Sequence, residues 1–389
     1  MLLPLHGRKN VLLHGLPGSG KTTLVERLVK VIPYPKKGFY TREVRERGRR
    51  IGFKIITLDG QEAWLAKRGK GYPQVGKYRV YVESFERLAV PTIREVSPDG
   101  MLVIDEIGKM ELFSRSFQQA VSAALDSPVP VLATVGYGKI PFTEALFQRQ
   151  DAIFAEVTPE SRDHLVGRVK VEFYRPGLLI AVEGLDGAGK SSLLQSLAQK
   201  LRTQGFKVVT TREPTTGEWG QKIREHLASG SKISPQAMAE LFLRDRRDHA
   251  REFLIPRLEE KAILLCDRYY LSTMAYQGAC GLEIETLKRQ NETWAPVPDF
   301  VLYLDVPVDL ALKRLEGRPF YKPEIFETKD FLTKVQETYL ETLKHFRHGI
   351  VTASGPLEEV LEKALEALEP VLETWQRRIS PNSPPPNRG

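Results

Sequence analysis

This sequence predicts two α/β units, each a mostly parallel sheet flanked by helices, on three observations. The phosphate-binding pattern G-x-x-x-x-G-K-[ST] occurs twice, as GLPGSGKT from Gly15 to Thr22 and as GLDGAGKS from Gly184 to Ser191. Each copy follows an apolar run (VLLH from Val11, LLIAVE from Leu178) and precedes a helix-like run (TTLVERLVKVI, SSLLQSLAQKL). Beyond each loop, strand-like and helix-like segments alternate, the pattern of parallel sheets with helices on both faces. Two loops so far apart cannot serve one nucleotide, so two nucleotide sites are expected.

In the first half, VLLH reads as a strand and the run after the loop as a helix to about Lys30. GFYTREVR and RIGFKIITL alternate in period two around ERGR, which predicts a hairpin. RVYVESF and MLVIDEIG are further strand candidates, a helix covers Ser116 to Leu125, and PVLATV is a buried strand. IFAEVT is followed by a helix from Pro159 to Val169. Tyr174-Arg175-Pro176-Gly177 is strong punctuation, which bounds a first domain at 1–174 and opens a second over 177–378. There the order is LLIAVE, loop, helix, KVVTTREP, a helix from about Gly220, and a long helix from Ser234 to Glu260. AILLCDRYY, a helix through Met274, FVLYLDV and helices to about Arg378 complete it. The tail at 379–389, rich in Pro, Ser and Asn, is expected to be disordered.

Composition sets the class. The chain has 389 residues, 41% apolar and 27% charged, which is ordinary for a soluble globular protein. It has no apolar run long enough to span a membrane. The start MLLPLHGRKN lacks a signal-peptide plan, and two cysteines make no disulfide framework, so the expected compartment is the cytoplasm. Part of the net charge of +8 is concentrated between Lys36 and Lys54. That run reads either as a surface for nucleic acid or as a solvated hairpin beside a polyphosphate site. The second reading is favoured, because a P-loop already explains local demand for positive charge.

The chemistry of the two loops is direct. Gly15, Gly18 and Gly20, and likewise Gly184, Gly187 and Gly189, let backbone N–H groups wrap around phosphates at the positive end of a helix. Lys21 and Lys190 reach the β- and γ-phosphates, and Thr22 and Ser191 place hydroxyls on Mg²⁺. Thr23 and Ser192 follow at the helix start. In MLVIDEIG, Asp105 ends an apolar strand, where it can hold Mg²⁺ through water. Glu106, one residue on, can orient an attacking water.

The second half adds TREPTTGEWGQKIRE, AELFLRDRRDH, CDRYYLSTMAYQGA and PDFVLYLDVP in that order. With its loop, this set resembles the thymidylate (dTMP) kinase family over about residues 177–370. The resemblance implies a P-loop NTPase fold, ATP as phosphoryl donor, dTMP as acceptor and Mg²⁺ as cofactor. It implies that Asp186 reaches the acceptor sugar or its metal, and that Arg212 and Arg268 clamp the acceptor phosphate. Asp267 faces Mg²⁺. Phe242 stacks on thymine and Arg246 binds a base carbonyl, Thr273 and Gln277 line the same pocket, and Tyr276 crowds the sugar 2′ position. Ala188 stands where some relatives place an Arg, so a lid residue is implied as the transition-state cation. Arg318 is the main candidate, with Arg314 and Lys322 as alternatives. A dimer through this half follows from the resemblance alone.

In the first half, GLPGSGKTTL, GFYTREVRERGRRIGFKI, VIDEIGKMEL and TPESRDHL resemble the THEP1-type nucleoside-triphosphatases over about residues 8–172. That implies a second P-loop NTPase fold, hydrolysis of NTPs with broad base tolerance, and Arg162 near the base. Lys109, Arg42 and Arg45 are candidate phosphate contacts. The leading reading is a bifunctional enzyme. The alternatives are that the first half is a nucleotide-dependent switch attached to the kinase, or a nucleic-acid-binding ATPase; the absence of nucleic-acid-binding motifs disfavours nucleic acid as a partner.

Overall fold

The computed structural model describes residues 1–138, 140–229, 233–317 and 328–380. The chain forms two compact units, Arg8–Tyr174 and Arg175–Gly389, and the short segment Leu2–Gly7 packs with the second.

In the first unit, β1 (Asn10–His14) enters the P-loop and α1 (Lys21–Val31) leaves it. Next come β2 (Lys36–Glu46), β3 (Arg49–Thr57), β4 (Glu62–Arg68), β5 (Gln74–Val75), β6 (Tyr78–Val80) and α2 (Val82–Arg94). β7 (Met101–Ile107), α3 (Arg115–Asp126), β8 (Val131–Val135), α4 (Pro141–Leu146), β9 (Ala152–Glu156) and α5 (Arg162–Phe173) complete it. Among the described residues, the nine strands of this unit form one sheet, in the order β5-β6-β4-β3-β2-β7-β8-β1-β9. From β2 to β9 the pairs are parallel, and from β2 outward to β5 they are antiparallel. The parallel half is the P-loop core, and the hairpin expected at 39–57 is the root of the antiparallel wing.

Two sequence expectations in this unit change. RVYVESF is a strand only to Val80; from Val82 the chain is helix α2, whose Phe85, Ala89, Val90 and Ile93 recur at helical spacing and are buried. The last helix starts at Arg162 rather than Pro159, because Ser161 and Thr158 form a local hydrogen-bonded turn, with Ser161 Oγ donating to the Glu156 carbonyl (2.6 Å).

In the second unit, β10 (Leu178–Gly184) and α6 (Lys190–Thr203) flank the other P-loop. β11 (Val208–Arg212), α7 (Glu218–Ser229), α8 (Pro235–His249), α9 (Ile255–Leu258), β12 (Ile263–Asp267), α10 (Tyr270–Ala279) and α11 (Ile284–Trp294) follow. Then come β13 (Phe300–Asp305), α12 (Val308–Glu316), α13 (Lys329–Leu343), β14 (His348–Thr352) and α14 (Leu357–Ile379). The sheet order is β11-β12-β10-β13-β14, all parallel. β10 is central and buried at every residue, which is why it reads as an unbroken apolar run. The long helix expected over 234–260 is interrupted by a π-turn at Ala250–Leu254 ahead of Pro256, whose ring nitrogen has no N–H to continue the ladder. Asp299 secures the sheet's lower end. It accepts from the backbone N–H of Leu179 (2.8 Å) and Leu5 (2.5 Å) and pairs with the buried guanidinium of Arg175 (3.1 Å).

Candidate nucleotide sites

Parallel strands deliver side chains to one edge of each sheet, and the P-loop lies at that edge. In the first unit, Lys21 Nζ donates to the carbonyls of Gly15 (3.0 Å) and Leu16 (3.4 Å) and lies 3.8 Å from Glu106 Oε2. Asp105 is almost wholly buried, and Thr134 Oγ1 donates to its Oδ1. Burial pushes its carboxyl up to about 6, against the hydroxyls of Thr134 and Thr22, which favour the charged form. Asp105 Oδ2 is buried without a hydrogen-bond partner among the described residues. An orphaned carboxylate oxygen beside Thr22 fits the hard-cation ligand set that the sequence predicts. Arg162 lies against the loop: a β-carbon on Gly20 would stand 2.8 Å from its Cδ and 3.3 Å from a guanidinium nitrogen. Thr23 is exposed at the start of α1, and Lys109 is exposed beyond β7.

Glu106 is tucked between two glycines. A β-carbon on Gly108 or Gly136 would come within 2.7 and 2.9 Å of its Oε1. The same point on Gly108 lies 3.0 Å from Oε2 of Glu111, so two carboxyl groups converge there. Burial raises the Glu106 carboxyl while Lys21 opposes the rise. Glu111 is buried, and burial together with the charge of Glu106 pushes its carboxyl up to about 8. Sequence reasoning did not single out Glu111; a carboxylate inside the apolar frame of KMELF was the available signal.

Glu111 gives a stability prediction. Its folded-state pKa lies above the ordinary value of 4.5, so its contribution is fully present below that value and is lost as pH rises towards about 8. Each pH unit in that window costs about 1.4 kcal/mol. Glu111→Gln cannot ionise and should flatten the profile, so the first unit of the variant gains on wild type from pH 5 to pH 8. Urea midpoints across that range test it, and parallel profiles would remove Glu111 as the source.

In the second unit the site residues are wired together. Lys190 Nζ donates to the carbonyls of Gly184 (3.0 Å) and Leu185 (2.7 Å), and Ser191 Oγ donates to Asp267 Oδ2 (2.6 Å). Burial and the charge of Arg268 lower Lys190 to about 8. Asp186 pairs with Arg268 through Oδ1 and accepts from Tyr276 Oη through Oδ2 (2.9 Å). Burial alone would raise Asp186, but Arg268, Lys190 and Tyr276 outweigh it and hold the carboxyl well below its usual range. Gly187 has φ +83, and a β-carbon there would stand 2.2 Å from the Ala311 carbonyl, so the loop needs glycine at that point.

Arg268 has φ 66, a backbone region that non-glycine residues rarely adopt. Its N–H donates to Val182 O (3.0 Å) and its guanidinium to Ser272 Oγ (3.1 Å) and Asp186, which hold it there. Behind this turn lies Glu183, fully buried. It accepts from the backbone N–H of Tyr269 (2.7 Å), from Ser272 Oγ (2.6 Å) and from Tyr339 Oη (3.0 Å). Burial raises the Glu183 carboxyl, and these donors with Arg268 oppose the rise. Glu183 thus positions the start of α10, a role that sequence reasoning missed although the residue directly precedes the P-loop.

Arg212 ends β11, exposed, level with Asp267 across the sheet. Phe242 is half-buried on α8. Arg246, one turn later, is buried and held on several sides: it donates to Glu213 (2.8 Å), Asn291 (2.5 Å) and Thr273 (3.2 Å). Glu213 also bonds His249 Nδ1 (2.9 Å). Thr215, in the loop after β11, is fastened to Asp245 by its N–H (2.8 Å) and hydroxyl (2.5 Å). Gln277 is buried, its Oε1 without a partner among the described residues. Ser192 is exposed on the first turn of α6. Of the lid candidates, Arg314 donates to the Ala353 carbonyl (2.9 Å), while Arg318 and Lys322 lie outside the described residues.

Comparison with known proteins adds the following. The family described as Thymidylate kinase matches residues 182–364, and the family described as NTPase matches residues 10–170. A probable thymidylate kinase of Archaeoglobus fulgidus is 40% identical over 195 residues, covering 50% of this chain and 96% of that protein. A thymidylate kinase of Xylella fastidiosa is 40% identical over 195 residues, 50% of this chain and 92% of that protein. The crystal structure of THEP1 from Aquifex aeolicus is 36% identical, covers 41% of this chain and 96% of its own, and superposes with a TM-score of 0.39. Among the described residues, no helix is long and apolar enough to cross a membrane.

Proposed function

This chain belongs to the thymidylate kinase family through its C-terminal half, and on that premise we propose that this half transfers the γ-phosphoryl group of ATP to dTMP, giving dTDP and ADP. The N-terminal half hydrolyses NTP to NDP and phosphate. The observation that carries the first assignment is the Asp186–Arg268–Tyr276 cluster, set beside Lys190 and the Ser191–Asp267 pair at one sheet edge.

Two polyanions must meet nose to nose in this reaction, so cations are needed from several directions. Lys190 leaves its loop carbonyls for the ATP phosphates, and its lowered pKa rises again as phosphate oxygens supply counter-charge. Arg268 and Arg212 clamp the acceptor phosphate, where a guanidinium fork suits phosphate oxygens. Asp186, kept ionised, orients Arg268 and faces the acceptor sugar. Ser191 and Asp267 would hold Mg²⁺, as Thr22 and Asp105 would in the first half; the bound ion neutralises charge across the phosphates. Phe242 offers thymine a stacking face. Arg246 offers the base a donor already oriented by Glu213 and Asn291.

In the first half the acceptor is water, so positioning and neutralisation suffice. Glu106 orients the water opposite Lys21, and no covalent group is required. Arg162, laid along the loop, stands ready beside the bound nucleotide. The cytoplasm is the compartment proposed for both reactions, and a homodimer through the C-terminal half is the proposed assembly.

Substrate choice tests the kinase assignment. Tyr276 crowds the 2′ position and Phe242 stacks on thymine, so kcat/KM for dTMP should exceed that for UMP by about 10² or more. A coupled ADP-release assay reads both, and equal values would sink the pocket assignment.

A further inference from the structure

We propose that the antiparallel wing of the first unit is a binding surface for single-stranded nucleic acid, with Trp64 as its stacking platform. Charge is the first observation. Residues 36–70 carry eleven lysines and arginines against four acidic residues, a net +7 out of +8 for the entire chain. The sequence alone favoured local phosphate demand as the reason. The register argues for more: Tyr40 pairs with Asp105, and β2 runs on for six residues to Glu46. At ~3.3 Å per residue the basic tip lies about 20 Å from Asp105, beyond the length of one triphosphate.

The second observation is the pleat. Arg42 is opposite Lys54, and Lys54 is opposite Trp64, so these side chains share one face with Tyr40. Phe39, Ile55 and Leu65 point the other way, into the core. Trp64 is partly exposed and lies over Gly52, where a β-carbon would come within 2.9 Å of the ring. The Lys54 and Lys67 ammonium groups stand 5.4 and 5.0 Å from its centroid, and the Arg42 guanidinium stands 5.3 Å from that of Tyr40. The face therefore interleaves aromatic rings with cations.

Its present counter-ions are weak. Arg42 pairs with Glu26, and Lys54 pairs with Glu62. Such exposed pairs are worth little and yield readily to phosphates, whose binding also releases condensed counter-ions. An acidic peptide would satisfy the cations but leave the ring faces unused. Unpaired bases satisfy both, because every base has a face to stack, whereas a duplex hides those faces.

The test uses the full chain and fluorescein-labelled dT20, with anisotropy followed from 50 to 300 mM KCl. Binding should weaken steeply with salt. Trp64→Ala should weaken it at least tenfold at fixed salt without changing the salt slope, and Trp64→Phe should restore most of the loss. Lys54→Glu with Lys67→Glu should lower the slope. Phosphoryl transfer by the C-terminal half and urea midpoints of the first unit check that each variant is folded. No binding at 50 mM, a dissociation constant unmoved by folded Trp64→Ala, or displacement by polyglutamate as effective as by unlabelled dT20 would each overturn the proposal.

Discussion

Lys190→Ala should lower dTMP phosphorylation by about 10³-fold, the upper range for removing one pre-aimed donor, while NTP hydrolysis stays within twofold of wild type. Lys21→Ala should do the reverse. The argument rests on where each ammonium group sits. Lys190 is held by the Gly184 and Leu185 carbonyls and is surrounded by Asp186, Asp267, Glu183 and Arg268. Lys21 is held by the Gly15 and Leu16 carbonyls beside Glu106. Each lysine thus belongs to its own unit's loop and its own carboxylates. Truncation removes that loop's ammonium group, and the described neighbouring cations are placed for other contacts: Arg268, paired with Asp186, faces the acceptor phosphate, and Arg162 lies along the first loop. Both activities measured on both variants decide the matter. Loss of both in either variant would refute independent sites.

Glu106→Gln should reduce the kcat of NTP hydrolysis by about 10²–10⁴-fold, the span for losing a positioned general base, with NTP affinity changed only a few-fold. Lys21 and the loop N–H groups remain to bind the phosphates, so the loss falls on the chemical step. The pH profile supplies a second readout. Burial holds the Glu106 carboxyl above its ordinary value, so wild-type turnover should fall as pH drops through that raised value. The Gln variant should lack this acid limb. Wild-type kcat in the variant would place water orientation on another residue. A large rise in KM with kcat intact would make Glu106 a ground-state contact.

Much of the site was legible because its chemistry is local. A P-loop is a contiguous stretch whose glycines, lysine and hydroxyl are spaced by the turn itself. Asp267 ends β12 and Asp105 lies two residues before the end of β7, and parallel strands end at the same sheet edge as the loop. Phe242 and Arg246 share a helix face through their four-residue spacing. Where the sequence misled, the reason was competition between periods. RVYVESF begins in period two and then joins a helical stripe, and the run before Pro256 is helical in composition although its ladder shifts to a π-turn.

Other features exist only once the chain is folded. Glu183 looks like the last residue of a strand, yet Tyr269, Ser272 and Tyr339 converge on it from α10 and α13 and make it the anchor of the Arg268 turn. Arg246 is expected at a base carbonyl, and only the fold reveals the partners that orient it, Glu213, Asn291 and Thr273. Glu111 and Glu106 are five residues apart and meet over Gly108. Within and beyond the basic run at 36–54, only strand pairing sets Arg42, Lys54 and Trp64 side by side. Sequence by itself determined two P-loop units and their order, because short-range spacing encodes loops and strand ends. Tertiary structure alone decided which charges are buried, what they are paired with, and which face of the wing meets solvent. Desolvation and pairing depend on neighbours from distant segments, and no local pattern records them.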